Sequence, residues 1–216
     1  MEDRLRSAGH RVYCPTLTGL GERAHLLSRQ VNLETHIQDV VSLLEAEELE
    51  NVVLVGHSYG GIVISGVAVR AKPRLKQLVY LDSALVADGE CLADILPPEA
   101  RPARRKAAEP SGYVSIPVPD ARVFGLLEPG DIEWVQRRMT PQPFASLEQV
   151  MHWGGPIGNG VPKVYVDCSD PAYAGLAAMK DRYRGRPDWP FVEIRTGHDA
   201  MVSAPEETTQ LLLRYA

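Results

Sequence analysis

The sequence predicts a single α/β domain whose mostly parallel sheet is covered by helices on both faces. Three observations carry this. Short apolar, β-branched runs alternate with helix-patterned segments along most of the chain. One run, Val52–Val55, opens directly into Gly56-His57-Ser58-Tyr59-Gly60-Gly61, and a second apolar, helix-compatible stretch, Ile62–Val69, follows at once. The chain has 216 residues and 44% hydrophobic content, enough for one full core, and contains no apolar run of membrane-spanning length.

Residues 1–8 read as a helix end, with Leu5 inward and Gly9 at the stop. Arg11–Cys14 reads as a short strand closed by Pro15, and residues 16–23 as a loop. Over Leu33–Leu49 the residues Ile37, Val40, Val41 and Leu44 recur at helical spacing, with Asn32 as N-cap. The strand before Gly56 and the helix after it follow, then a strand, Gln77–Leu81, ending at Asp82-Ser83. Val161–Cys168 is a strand, Tyr173–Tyr183 a helix, Phe191–Arg195 a strand and Ala204–Tyr215 the closing helix. Parallel strands joined by helices give a sheet buried on both faces.

The run from Leu85 to Gly160 differs. It is rich in Pro and Gly, carries short helical pieces at Asp131–Met139 and Ser146–His152, and reads as an excursion inserted between two strands of the main sheet. The Gly154-Gly155-Pro156 and Gly158-Asn159-Gly160 clusters look like its return. They lack the Gly-Lys-Ser/Thr of a phosphate loop. The organisation is therefore one domain over residues 1–216 with an inserted subdomain over 85–160.

A net charge of −5 argues against a nucleic-acid partner. The one basic cluster, Arg101–Lys106, reads as a solvated loop. The charged N-terminus has no apolar signal-peptide core. Cys14, Cys91 and Cys168 are odd in number and widely spaced, so neither a disulfide framework nor a zinc site is expected. The expectations are a cytoplasmic protein with no membrane partner, no metal and no cofactor, and a possible homodimer.

The Gly-x-Ser-x-Gly string alone is as readily a chance strand–helix connection. Between this strand and this helix it becomes a nucleophile elbow, with Ser58 as nucleophile and Gly56 and Gly60 keeping Cβ atoms out of the backbone crossing. A serine hydroxyl needs a base within reach. Of six histidines, His198 stands out: it follows the strand ending at Arg195, at the same carboxyl edge as the elbow. A lone histidine is more often surface or satisfied core, and position is what favours this one. His57 adjoins the serine but leaves the elbow in another direction, so it is a candidate for substrate or oxyanion contact rather than the base. The base needs an acid. Asp170, in the loop after the strand ending at Cys168, is favoured because Ser58, Asp170 and His198 follow the chain order of elbow hydrolases. Asp82 is the rival. Tyr59 N–H is the expected oxyanion donor. Leu85, Trp134 and Trp153 are candidates to line the substrate pocket, with packing as the alternative reading.

Pro15-Thr-Leu-Thr-Gly-Leu-Gly-Glu-Arg23, Gly56-His-Ser-Tyr-Gly-Gly61, Val79-Tyr-Leu-Asp82 and Gly197-His-Asp-Ala-Met201 resemble the α/β-hydrolase superfamily. Within it they resemble the branch of methyl-salicylate-type esterases, hydroxynitrile lyases and bacterial carboxylesterases. The resemblance covers nearly the whole chain and implies a helical cap over the serine, which the 85–160 excursion fits. It implies a carboxylesterase acting on small carboxylic esters. The other readings are a catalytically silent relative and a carbon–carbon lyase. Lyases of the branch carry a lysine near the base, whereas Asp199 follows His198 here. Relatives also begin with a strand and a His-Gly-rich loop that supplies the second oxyanion N–H. Neither precedes Met1, so the resemblance implies either a late start or a direct pairing of Arg11–Cys14 with the elbow strand and crippled activity. The late start is favoured.

Overall fold

The computed structural model describes residues 1–216. Two helices precede the sheet: α1 (Glu2–Ser7) and α2 (Leu33–Ala46). Asn32 caps α2, accepting from Thr35 N at 3.0 Å while Thr35 Oγ1 takes the Asn32 amide in return. Strand β1 (Val52–His57) leads into α3 (Gly60–Ala71), and β2 (Leu75–Leu81) follows. The excursion holds α4 (Ala100–Ala108), β3 (Ser115–Ile116), α5 (Pro129–Gln136), β4 (Gln142–Pro143) and α6 (Ala145–Glu148). The chain then returns through β5 (Lys163–Cys168), α7 (Ala177–Tyr183), β6 (Phe191–Ile194), α8 (Ala200–Ser203) and α9 (Pro205–Leu213).

The main sheet is parallel, in the order β1-β2-β5-β6. Alternation along each strand divides its side chains between two cores. Leu78, Tyr80 and Tyr165 face the core built with α2, α3 and α7, while Val79, Leu81, Val164 and Val166 face the one built with α9, with Leu5 of α1 at its margin. The register aligns the carboxyl ends: His57 opposite Leu81, Leu81 opposite Val166, and Cys168 opposite Ile194. Residues just past those ends therefore share one edge.

Three expectations need correction. Arg11–Cys14 is not a strand, and β1 is the edge of the sheet. Strand pairing needs a neighbour's donors and acceptors in register, and this segment has none; it is tied locally instead, Arg6 reaching Val12 O at 3.1 Å and Tyr13 Oη reaching Glu47 at 3.0 Å. The two segments do not pair directly. The basic stretch Arg101–Lys106 is helical, within α4. Alanines and arginines favour helix, and Pro102 sits in the first turn, where its missing N–H is not needed. One face of α4 clamps Glu148, through Arg101 at 3.2 Å and Arg105 at 2.9 Å. The short antiparallel β3–β4 pair, Ser115 opposite Pro143, was not foreseen.

The 85–160 excursion is not separately cored throughout. Leu85, Val86, Leu92, Ile95, Leu147 and Trp153 belong to the main core, while Ala121, Leu126 and Val135 form a small cluster of their own. Its return runs through left-handed turns at Gly154, Gly158 and Gly160.

Candidate active site

The elbow takes its shape from its crowding. Ser58 has φ +51°, a left-handed conformation that non-glycine residues adopt only where the surroundings impose it. A Cβ on Gly56 would stand 2.5 Å from Gly60 O, so the next-to-last residue of β1 must be a glycine for α3 to begin there. Gly60 itself faces open space. The second obligatory glycine is Gly61, whose Cβ would fall 2.5 Å from Ser83 Cβ. The turn is pinned from β2: Ser58 N donates to Leu81 O at 3.3 Å, and Ala84 N donates to Ser58 O at 2.9 Å. Ser58 thus lies beside Asp82, itself left-handed at φ +41°. Tyr59 N–H donates to no backbone carbonyl, and it opens a twelve-residue helix whose dipole favours negative charge there. The Tyr59 side chain turns away, its hydroxyl donating to His36 Nδ1 at 2.8 Å.

His198 reaches back over the sheet edge. Its Nδ1 lies 2.6 Å from Asp82 Oδ2, and both side chains are almost wholly buried. A carboxylate only accepts, so Nδ1 carries the hydrogen and Nε2 keeps the lone pair. Nε2 is buried and has no hydrogen-bond partner. Burial alone would raise Asp82, but the His198 bond and the charge of Lys180 outweigh it and hold the carboxyl below its ordinary value. Asp170 is not at the site. Its side chain is 65% exposed and its only charged neighbour is Arg195, at 3.8 Å. The reason is topological: β2 neighbours β1, so Asp82 arrives next to the elbow, whereas Asp170 lies a strand further out, where Ser169 and Ala172 fold the loop back on itself.

His198 is sandwiched by rings. Tyr173 stacks at 4.4 Å between centroids, Phe124 at 5.7 Å, and His57 lies at 4.5 Å. His57 Nε2 donates to His198 O at 2.9 Å, so this donor holds the His198 loop. Burial is the main reason its imidazole stays neutral, lowered to about 3. Because the folded value lies below the unfolded one, the unfolded chain binds the extra proton between about pH 6.5 and 3, and stability falls on acidification through that window. His57→Gln keeps a donor without the titration, so its melting temperature is expected to fall less steeply than the parent's between pH 7 and 4. Identical slopes would contradict this.

Leu85 is fully buried in the main core, as is Trp153, whose Nε1 donates to Val86 O at 2.9 Å. Both side chains pack in the main core. Trp134 is exposed beneath the Arg138 guanidinium, 4.2 Å from the ring centroid. The excursion meets the His198 loop at two glycines: a Cβ on Gly197 would stand 2.4 Å from Gly125 O. His57, His198 and Asp199 bring possible metal donors within 4.8 Å of one another. However, His57 Nε2 is already committed as a hydrogen donor to His198 O, which disfavours the set as a metal site.

Sequence reasoning missed Lys180, Tyr173, Phe124 and Gly125. Only Lys180 left a signal: Leu176, Met179, Lys180 and Tyr183 form one buried stripe at helical spacing, and a lysine on such a stripe needs a partner.

Known proteins agree with this architecture. Residues 3–211 match the model of the alpha/beta hydrolase family. A carbendazim hydrolyzing esterase from Nocardioides sp. (strain SG-4G) is 41% identical over 96% of this chain and 89% of its own length. Among solved structures, an extracellular alpha/beta-hydrolase from a Paenibacillus species, described as homologous to tobacco salicylic acid binding protein 2, superposes with a TM-score of 0.85 at 23% identity, covering 99% of this chain and 90% of that one. Polyneuridine aldehyde esterase gives 0.73 at 16% identity, covering 100% and 91%. At those identities the structures show a shared fold, and the family match over nearly the whole sequence carries the assignment: this chain belongs to the α/β-hydrolase family.

Proposed function

We propose that this chain is a serine carboxylesterase that cleaves small carboxylic esters through an acyl-enzyme. The observation that carries the reading is the buried 2.6 Å bond from His198 Nδ1 to Asp82, which leaves Nε2 unprotonated and unpartnered at the edge where the left-handed Ser58 emerges. Nε2 takes the Ser58 proton as Oγ attacks the ester carbonyl, and returns it to the leaving alcohol. The same nitrogen then draws a proton from water to release the acid. Tyr59 N–H faces the oxyanion, aided by the start of α3. Asp82, rather than Asp170, fixes the tautomer and steadies the imidazolium. The Leu85–Gly160 excursion acts as a cap through Phe124 and Gly125. Similarity to a protein named as an esterase supports ester hydrolysis. A lyase reading has no support from Lys180, whose ammonium is spent on two carboxylates. No helix is long and apolar enough to cross a membrane, and the free cysteines Cys14, Cys91 and Cys168 suit a reducing cytoplasm.

The test is capture of the acyl-enzyme. Mixing the purified chain with p-nitrophenyl acetate should release a burst of p-nitrophenol stoichiometric with protein, and quenched digests should carry the acetyl group on the Ser58 peptide. A folded chain showing neither burst nor Ser58 label overturns the esterase reading.

A further inference from the structure

Asp82 has a second partner that ester hydrolysis does not require. Lys180 Nζ lies 2.5 Å from Asp82 Oδ1, on the opposite carboxylate oxygen from His198. It also lies 2.8 Å from Asp167 Oδ1 and 3.3 Å from Cys168 O, so its three donors have three acceptors. Lys180 is only 4% exposed. Asp167 is held from outside by Arg184 at 2.5 Å, and Cys168 N donates to Asp82 Oδ1 at 3.2 Å. A continuous buried line of alternating charge therefore runs from the surface guanidinium of Arg184 through Asp167, Lys180 and Asp82 to His198. It is assembled from β5, α7, the end of β2 and the loop after β6.

We propose that Lys180 is a positioning residue for the Asp82–His198 pair. Its ammonium orients the Asp82 carboxylate, keeps it anionic, and opposes uptake of a proton by the pair. The inference rests on the esterase reading of the same site. The electrostatics do not depend on which atom takes the proton. Protonating His198 Nε2 or Asp82 adds one positive charge beside an existing cation, and in a buried site that cation is little screened. Removing it makes protonation easier at either atom. The other groups facing the pair do not substitute for it. His57 from β1 is neutral, held near 3 mainly by burial. Asp199 is raised by burial first and would add only negative charge. Tyr165 and Cys168 from β5 are both raised, chiefly by burial, so they stay neutral. Tyr173 offers a ring face, and Arg184 is spent on Asp167.

The experiment is the pH dependence of kcat/KM for a p-nitrophenyl ester. Beside it, His198 is titrated by imidazole NMR in the Ser58→Ala background, where no turnover is needed. Lys180→Met should move the acid limb and the His198 titration upward by on the order of one pH unit. Lys180→Arg should restore both close to the parent. Asp167→Asn removes an anion that competes for Lys180 and should move both downward, which keeps the test open if Lys180→Met does not fold. Unmoved limb and titration in Lys180→Met, whatever its melting temperature, or an upward shift in Asp167→Asn, would overturn the proposal. If no ester is turned over but the titrations shift as stated, the esterase reading fails and the role of Lys180 stands.

Discussion

Asp82→Asn is expected to lower kcat for ester hydrolysis by on the order of 10⁴-fold, with KM little changed, whereas Asp170→Asn should change it by less than about twofold. The contrast comes from what each carboxylate touches. Asp82 is fully buried and accepts from His198 Nδ1, which leaves the lone pair on Nε2. An amide at residue 82 can present its NH₂ to Nδ1 and so favour the tautomer in which Nε2 carries the hydrogen and cannot serve as a base. Asp170 is solvent-exposed and faces only Arg195, a pairing worth little at a surface. Steady-state kinetics on one soluble ester, with melting temperatures to confirm folding, decide between them. A loss in Asp170→Asn matching that in Asp82→Asn would reassign the acid.

The second large effect is on stability. Gly56→Ala places a methyl 2.5 Å from the carbonyl oxygen of Gly60, and that contact is backbone, which cannot rotate away. The start of α3 must shift, and Ser58 with it. A loss of about 3 kcal/mol or more is expected, with activity falling alongside. Gly60→Ala is the control. A Cβ there meets nothing within 4 Å, and alanine is the better helix former by about 1 kcal/mol in a helix interior. Denaturant unfolding should find Gly60→Ala at least as stable as the parent. Equal destabilisation of the two variants would show that the elbow is not set by this crossing.

Most of the fold was legible because its local signals agreed with its global plan. The stripe Ile37, Val40, Val41, Leu44 and the Asn32 cap define α2, and apolar runs mark all four strands of the main sheet. Arg11–Cys14 failed because a strand exists only by pairing, and pairing is not a property of four residues. Arg101–Lys106 failed because charge was read as solvation, when its spacing puts Arg101 and Arg105 on one side of a helix against Glu148. That Ser58 and His198 follow strands at one sheet edge was readable. The choice between Asp82 and Asp170 was not, since both follow strands and only sheet order says which strand lies beside β1. Gly60 was credited with a constraint that belongs to Gly61, because a repeated glycine in a motif does not reveal which one is crowded.

The contact between Gly125 and Gly197 has a kinetic consequence. His198 is 1% exposed, and its Nε2 lies beneath Phe124 and Tyr173, so the imidazole is covered while Ser58 stays partly exposed. Where Gly125 meets Gly197 the excursion and the His198 loop lie backbone against backbone, so that part of the cover has no side chain to rotate aside. Admission of an ester to His198 Nε2 therefore requires the Phe124–Gly125 turn to lift together with the rings that cover the imidazole. Turnover on small, reactive esters should then be limited by how often that turn lifts, and the rate should respond to solvent viscosity more than to the leaving group.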